Sequence, residues 1–190
     1  MASPRGTMEL ARKYGEGLAA GVDKVISGPM QPVRGPLKCA FEMVSLAFAP
    51  PPSREELEAR LQGKETESRR PAQELLEILN GGGHLPAEYP YPLQVWQFGQ
   101  DLTLLAMAGE PVVDYVWRLK KELGREQLWA AGYCNEANLA YIPSLRVLQE
   151  GGYEGGGAMV ETRLPGPFAP SVEETIVRKV HELVARVRTR

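Results

Sequence analysis

Cysteine and histidine are scarce in this chain, with two of each among its 190 residues. Cys39 and Cys134 cannot build a disulfide framework, and their places in different predicted strands make them two buried thiols rather than a bridge. His84 falls in a glycine-rich turn and His181 on an outer helix beside Glu182, both exposed, and neither has a second imidazole at metal-ligand spacing. Long apolar runs are missing too: no stretch approaches the roughly 18 residues that a transmembrane helix needs. The charge imbalance is small. A net charge of −2 leaves no basic footprint for nucleic acid, and the tail Arg186–Arg190 reads as a solvated helix end. Met1 to Gly15 carries Arg5, Glu9, Arg12 and Lys13, so no secretory signal is read there.

What remains is ordinary globular composition, 43% hydrophobic and 24% charged. The aromatics are uneven, since every Trp and every Tyr except Tyr14 falls between Tyr89 and Tyr153. That half is expected to hold most of the core. Residues 8 to 26 read as a helix, with Leu10, Tyr14, Leu18, Val22 and Ile26 near three- and four-residue spacing. Thr7 is its N-cap, Gly28-Pro29 its stop. Gly15, Gly17 and Gly21 would weaken it unless close packing explains them. Leu37 to Phe48 reads as strand, but its apolar alternation changes phase between Met43 and Val44, which predicts a bulge. Ser53 and Glu56 form a capping box for a helix to Gln62. Pro71 is expected to open a further helix from Ala72 to Leu79. Residues 53–80 thus read as a small peripheral helical insertion.

Tyr89-Pro90-Tyr91-Pro92 introduces a hairpin, Leu93 to Phe98 and Leu102 to Ala108. Pro111 is placed at the first position of a helix reaching Leu123. A strand from Leu128 to Tyr133 completes a right-handed βαβ unit, and a terminal helix runs from Val172 to about Val187. The fold class is α/β: one domain over residues 1–190, with a mixed β-sheet, flanking helices, the βαβ unit and the insertion.

Glu110 and Tyr141 each lie just beyond the end of a predicted buried strand. If those strands are parallel neighbours, a carboxylate and a phenol reach the same sheet edge, where open α/β sheets place ligands. Two oxygen donors would suit a metal but are only half of a catalytic zinc site. For Glu110 the alternative is a capping carboxylate at the helix start. For Tyr141 it is a core tyrosine. Asn135, Glu136 and Asn138 make the loop between them polar. The glycine run from Gly151 to Gly157 lacks the Gly-Lys-Ser/Thr ending of a phosphate loop. It reads either as a flexible loop or as backbone that approaches a substrate with Tyr153 directed inward.

Gly109-Glu110, a helix, Gly132-Tyr133-Cys134-Asn135, Tyr141-Ile142 and Gly152-Tyr153-Glu154-Gly155 resemble the carboxyl-terminal part of the neutral/alkaline non-lysosomal ceramidase catalytic domain, of the bacterial ceramidase-like type. The spacing carries the resemblance: 31 residues from Glu110 to Tyr141, and 12 from there to Tyr153. It implies a zinc-dependent amidase, a hydrolase that cleaves ceramide or a related N-acyl lipid into fatty acid and sphingoid base. Glu110 and Tyr141 take the places of two metal ligands; Tyr153 and Asn135 fall on the substrate side. The family's two histidine ligands lie in a part of its domain that precedes Met1. The resemblance therefore implies a second half of a larger domain, weak or inactive alone, with the missing N-terminal half as a partner. The competing expectation is a non-catalytic binding or scaffold protein that keeps the fold. A third is a related enzyme acting on another amide.

Overall fold

The computed structural model describes residues 6–136 and 140–188. It divides into two units, Met1–Val33 and Arg34–Arg190. In the first, helix α1 (Met8–Ile26) starts where expected, with the Thr7 side chain accepting the Leu10 N–H at 3.2 Å. None of its residues is buried. A Cβ at Gly15, Gly17 or Gly21 would meet nothing within 4 Å.

The second unit is built on a four-stranded mixed sheet. It comprises β1 (Leu37–Ala47), β2 (Glu88–Phe98), β3 (Leu102–Met107) and β5 (Leu128–Ala131), in the order β1-β2-β3-β5. The first two neighbour pairs are antiparallel and β3–β5 is parallel. Helix α4 (Val113–Leu123) is the crossover between β3 and β5, which gives the expected βαβ unit. No bulge interrupts β1: all eleven of its residues pair in unbroken register with β2. The phase change is two faces of one strand. Val44 and Leu46 are buried on the core side, while Leu37, Phe41 and Met43 stand on the other. A strand buried on one side at one end and uncovered at the other imitates a slip in the apolar pattern.

β2 begins five residues before the expected strand and takes in Pro90 and Pro92, opposite Ser45 and Met43 of β1. β3 joins only from Leu93 onward. The proline stretch therefore has a strand on one side alone, where a missing N–H costs no ladder bond. Helix α6 (Val172–Arg188) lies against β1 and β2, and its Ile176, Val180 and Leu183 share the main core with Leu93, Val95 and Leu105. Arg118 of α4 ties that helix to α6 through Glu173 at 2.8 Å and Glu174 at 2.5 Å.

Helices α2 (Arg54–Gln62) and α3 (Thr66–Asn80) pair around a separate small core of Leu57, Ala72, Leu75 and Leu76. Ser53 and Glu56 make both bonds of the capping box. The helix expected to open at Pro71 starts earlier, at Thr66, and Pro71 sits inside it. Buried Ser68 bonds the Glu65 carbonyl at 3.0 Å in that first turn, and burial of Pro71, Ala72 and Leu75 outweighs the one backbone bond that a proline forgoes.

Candidate functional site

Two short strands, β4 (Glu110–Pro111) and β6 (Tyr141–Ile142), form a parallel pair in which Glu110 stands opposite Tyr141. The convergence expected from the strand ends is thus present, in a two-stranded sheet of its own. Backbone bonds lace it together. The Cys134 N–H donates to Met107 O at 2.9 Å, Tyr133 N–H to Gly109 O at 2.8 Å, and Gly109 N–H to Glu136 O at 2.9 Å. Just beyond β4, Val112 N–H donates to Ile142 O of β6 at 3.2 Å. Gly109 turns the chain between β3 and β4 at φ +61°, a conformation glycine adopts without cost. Gly132 permits the close approach of the two segments, since a Cβ there would lie 3.0 Å from Pro111 Cδ.

Pro111 is a strand residue, not the first residue of a helix, and α4 starts at Val113. Its N-cap is Val112, with no side-chain cap bond. The capping role weighed for Glu110 is therefore not the one it plays. Its carboxylate instead lies beside the phenols of Tyr133 and Tyr141 and acts on both. Hydrogen bonding toward that carboxylate is the first cause that raises both phenol pKa values above 10.0, and the negative charge of Glu110 adds to the effect. Tyr153 joins the group edge-on, its ring centroid 5.8 Å from that of Tyr141. Its hydroxyl bonds Glu161 at 3.3 Å, and its pKa is raised first by the charge of Glu161, then by desolvation. A groove of about 480 Å³ beside Tyr153 is lined by Glu65, Glu67, Ser68, Val160 and Glu161.

Tyr133 is the member that the sequence reading did not single out. It has φ +56° and Asn135 has φ +65°, conformations costing side-chain-bearing residues about 1–3 kcal/mol that cluster at functional sites. No sequence pattern signals a left-handed tyrosine; only the preceding Gly132 hints at an irregular strand end. Asn135 is exposed. The hydroxyl of Tyr89 donates to the carboxylate of Glu136, and Asn138 lies outside the described residues.

The other candidates settle simply. Cys39 and Cys134 are both free, and Cys39 is exposed rather than buried because it lies on the uncovered side of β1. His84 is exposed, and His181 pairs with Glu122 at 2.7 Å. The glycine run folds back on its own chain, with Gly157 N–H donating to Gly152 O at 2.9 Å. A Cβ at Gly155 would lie 2.5 Å from Gly151 O and 2.6 Å from Val147 O. Its backbone therefore closes on the end of helix α5 (Leu145–Glu150).

Glu110 and Tyr141 bring one carboxylate and one phenol to the same place. Among the described residues there is no group of three or more His, Cys, Asp or Glu side chains that could hold a metal ion. Comparison with known proteins found no family model and no curated protein that matches the chain. No helix among the described residues is long and apolar enough to cross a membrane.

Proposed function

We propose that the chain supplies the carboxylate–phenol half of a zinc-dependent amidase site, with ceramide or a related N-acyl lipid as the substrate class. The single observation carrying this reading is the in-register pairing of Glu110 with Tyr141, joined edge-on by Tyr153. Zinc held by such donors with two imidazoles supplies a Lewis acid and a water of lowered pKa. The imidazoles come, on this reading, from an N-terminal half of the domain that acts as partner, and the chain alone is weak or inactive.

The chain's own residues contribute position and charge. Glu110 lies beside two phenols, and the carboxylates of Glu110, Glu154 and Glu161 all act on the phenols around it. That field favours a cation over an anion. Tyr153 and Asn135 face the amide part of the substrate in this proposal.

Zinc titration of the purified chain, followed by calorimetry, is the test. Weak binding that disappears in both Glu110→Ala and Tyr141→Phe supports the reading. Zinc binding unchanged in both variants overturns it, and favours a scaffold that keeps the fold without the chemistry. Tight one-to-one binding with amidase activity on a fluorescent ceramide would overturn the half-site assignment instead.

A further inference from the structure

The four-stranded sheet is apolar on both faces. Its core side packs under α6. On the other side, the register aligns Cys39, Trp96, Leu104 and Trp129 in a row across all four strands. Leu37, Phe41 and Met43 extend the row along β1. These side chains are open: Trp129 is 62% exposed, Leu37 54%, Met43 51% and Phe41 50%. No charged residue belongs to the row. An antiparallel sheet that leaves one face to water ordinarily carries polar residues there, and this face carries apolar ones instead.

We propose that a second copy of this chain covers this face, giving a two-fold dimer in which the two sheets pack against each other. Three properties point to a copy of itself. The first is area. An aromatic side chain carries about 150–250 Å², so the exposed fractions above, with the partly exposed neighbours, sum to roughly 600 Å² for one copy. Two such faces bury roughly 1,200 Å², above the ~1,000 Å² that a specific interface requires.

Charge is the second property. In a two-fold interface the same patch meets itself, so any charge near the axis meets its own like. A patch without charges escapes that penalty, and its Trp, Phe and Met content is the composition of homodimer interface cores. Shape is the third. A sheet face is self-complementary, because two sheets pack about 10 Å apart with side chains interdigitated. The inference does not rest on the roles proposed for Glu110 and Tyr141.

Sedimentation velocity of the full chain over a concentration series tests it. A reversible monomer–dimer equilibrium is expected, with Phe41→Lys and Trp129→Lys each weakening dimerisation about thirtyfold or more, as loss of an interface anchor does. Both side chains are exposed, so the far-UV circular dichroism and melting of the monomer should be retained. A second measurement uses the thiol. In a Cys134→Ser background, alkylation of Cys39 should slow as the dimer forms. The proposal is overturned by a chain that stays monomeric throughout, by a dimer that tolerates both lysines, or by open-ended association. A monomer that binds neutral phosphatidylcholine vesicles through these residues would assign the face to lipid and overturn it as well.

Discussion

Replacing Tyr91 by phenylalanine removes one oxygen from the interior and tests how Glu110 is held. The Tyr91 ring is fully buried, and its hydroxyl donates to Ala108 O at 3.0 Å. Ala108 immediately precedes Gly109 and Glu110, so this bond anchors the strand end from which the carboxylate projects. Burial is the main reason the phenol pKa is raised, and the group stays neutral at any ordinary pH. In Tyr91→Phe the ring volume is kept, so no cavity term enters. What is lost is the partner of a buried carbonyl, at a cost of about 1–3 kcal/mol. Taking about 2 kcal/mol, a domain of this size should melt about 4–8 °C lower. Thermal and urea unfolding of the variant measure this directly, and an unchanged urea m-value would show that the folded state is otherwise intact. A melting temperature within about 1 °C of the parent's would refute the reasoning, because the Ala108 carbonyl would then need no partner.

Other consequences are equally direct. The phenols of Tyr133 and Tyr141 should titrate above 10.0 because of Glu110, and Glu110→Gln should shift part of the absorbance titration at alkaline pH downward; an unshifted curve would deny the contact. These phenols are raised on folding, so their contribution to stability is present below the unfolded pKa and lost as pH rises through the folded values. Asp114 is the opposite case: its carboxyl is lowered from 3.8, first by the hydrogen bond with Arg146 and next by that with Ser144. Its contribution is present above the unfolded pKa and lost as pH falls through the folded one, so Asp114→Asn should flatten the acid side of the stability–pH curve. Gly155→Ala forces a Cβ against two backbone carbonyls and should cost about 1–3 kcal/mol in denaturant unfolding, as overpacking does. Gly15→Ala meets open space, and should raise helicity by circular dichroism with a gain of about 1 kcal/mol for α1.

Much of the fold was legible because its signals are local. Ser53 with Glu56, and Thr7 before Leu10, announce helix starts within four residues, and the structure has both caps. Leu102 to Ala108, a helical stripe and Leu128 onward announce a βαβ unit, and β3, α4 and β5 form one. Where the reading went astray, a neighbour distant in sequence made the difference. The apparent bulge in β1 dissolves once α6 covers one end of one face. Pro71 sits inside α3 because that helix packs on α2. Tyr115 of α4 is fully buried and its hydroxyl donates to Pro143 O at 2.9 Å, a contact 28 residues away that no local pattern announces.

The candidate site divides along the same line. That Glu110 and Tyr141 stand at strand ends follows from the apolar runs before them, since a strand's length and exit are written in its own residues. That Glu110 lies beside two phenols, rather than capping α4, depends on how Tyr133, Glu136 and Tyr141 are paired with the chain around β4. Register and loop closure are set by contacts between residues far apart in the chain, which short-range pattern does not encode.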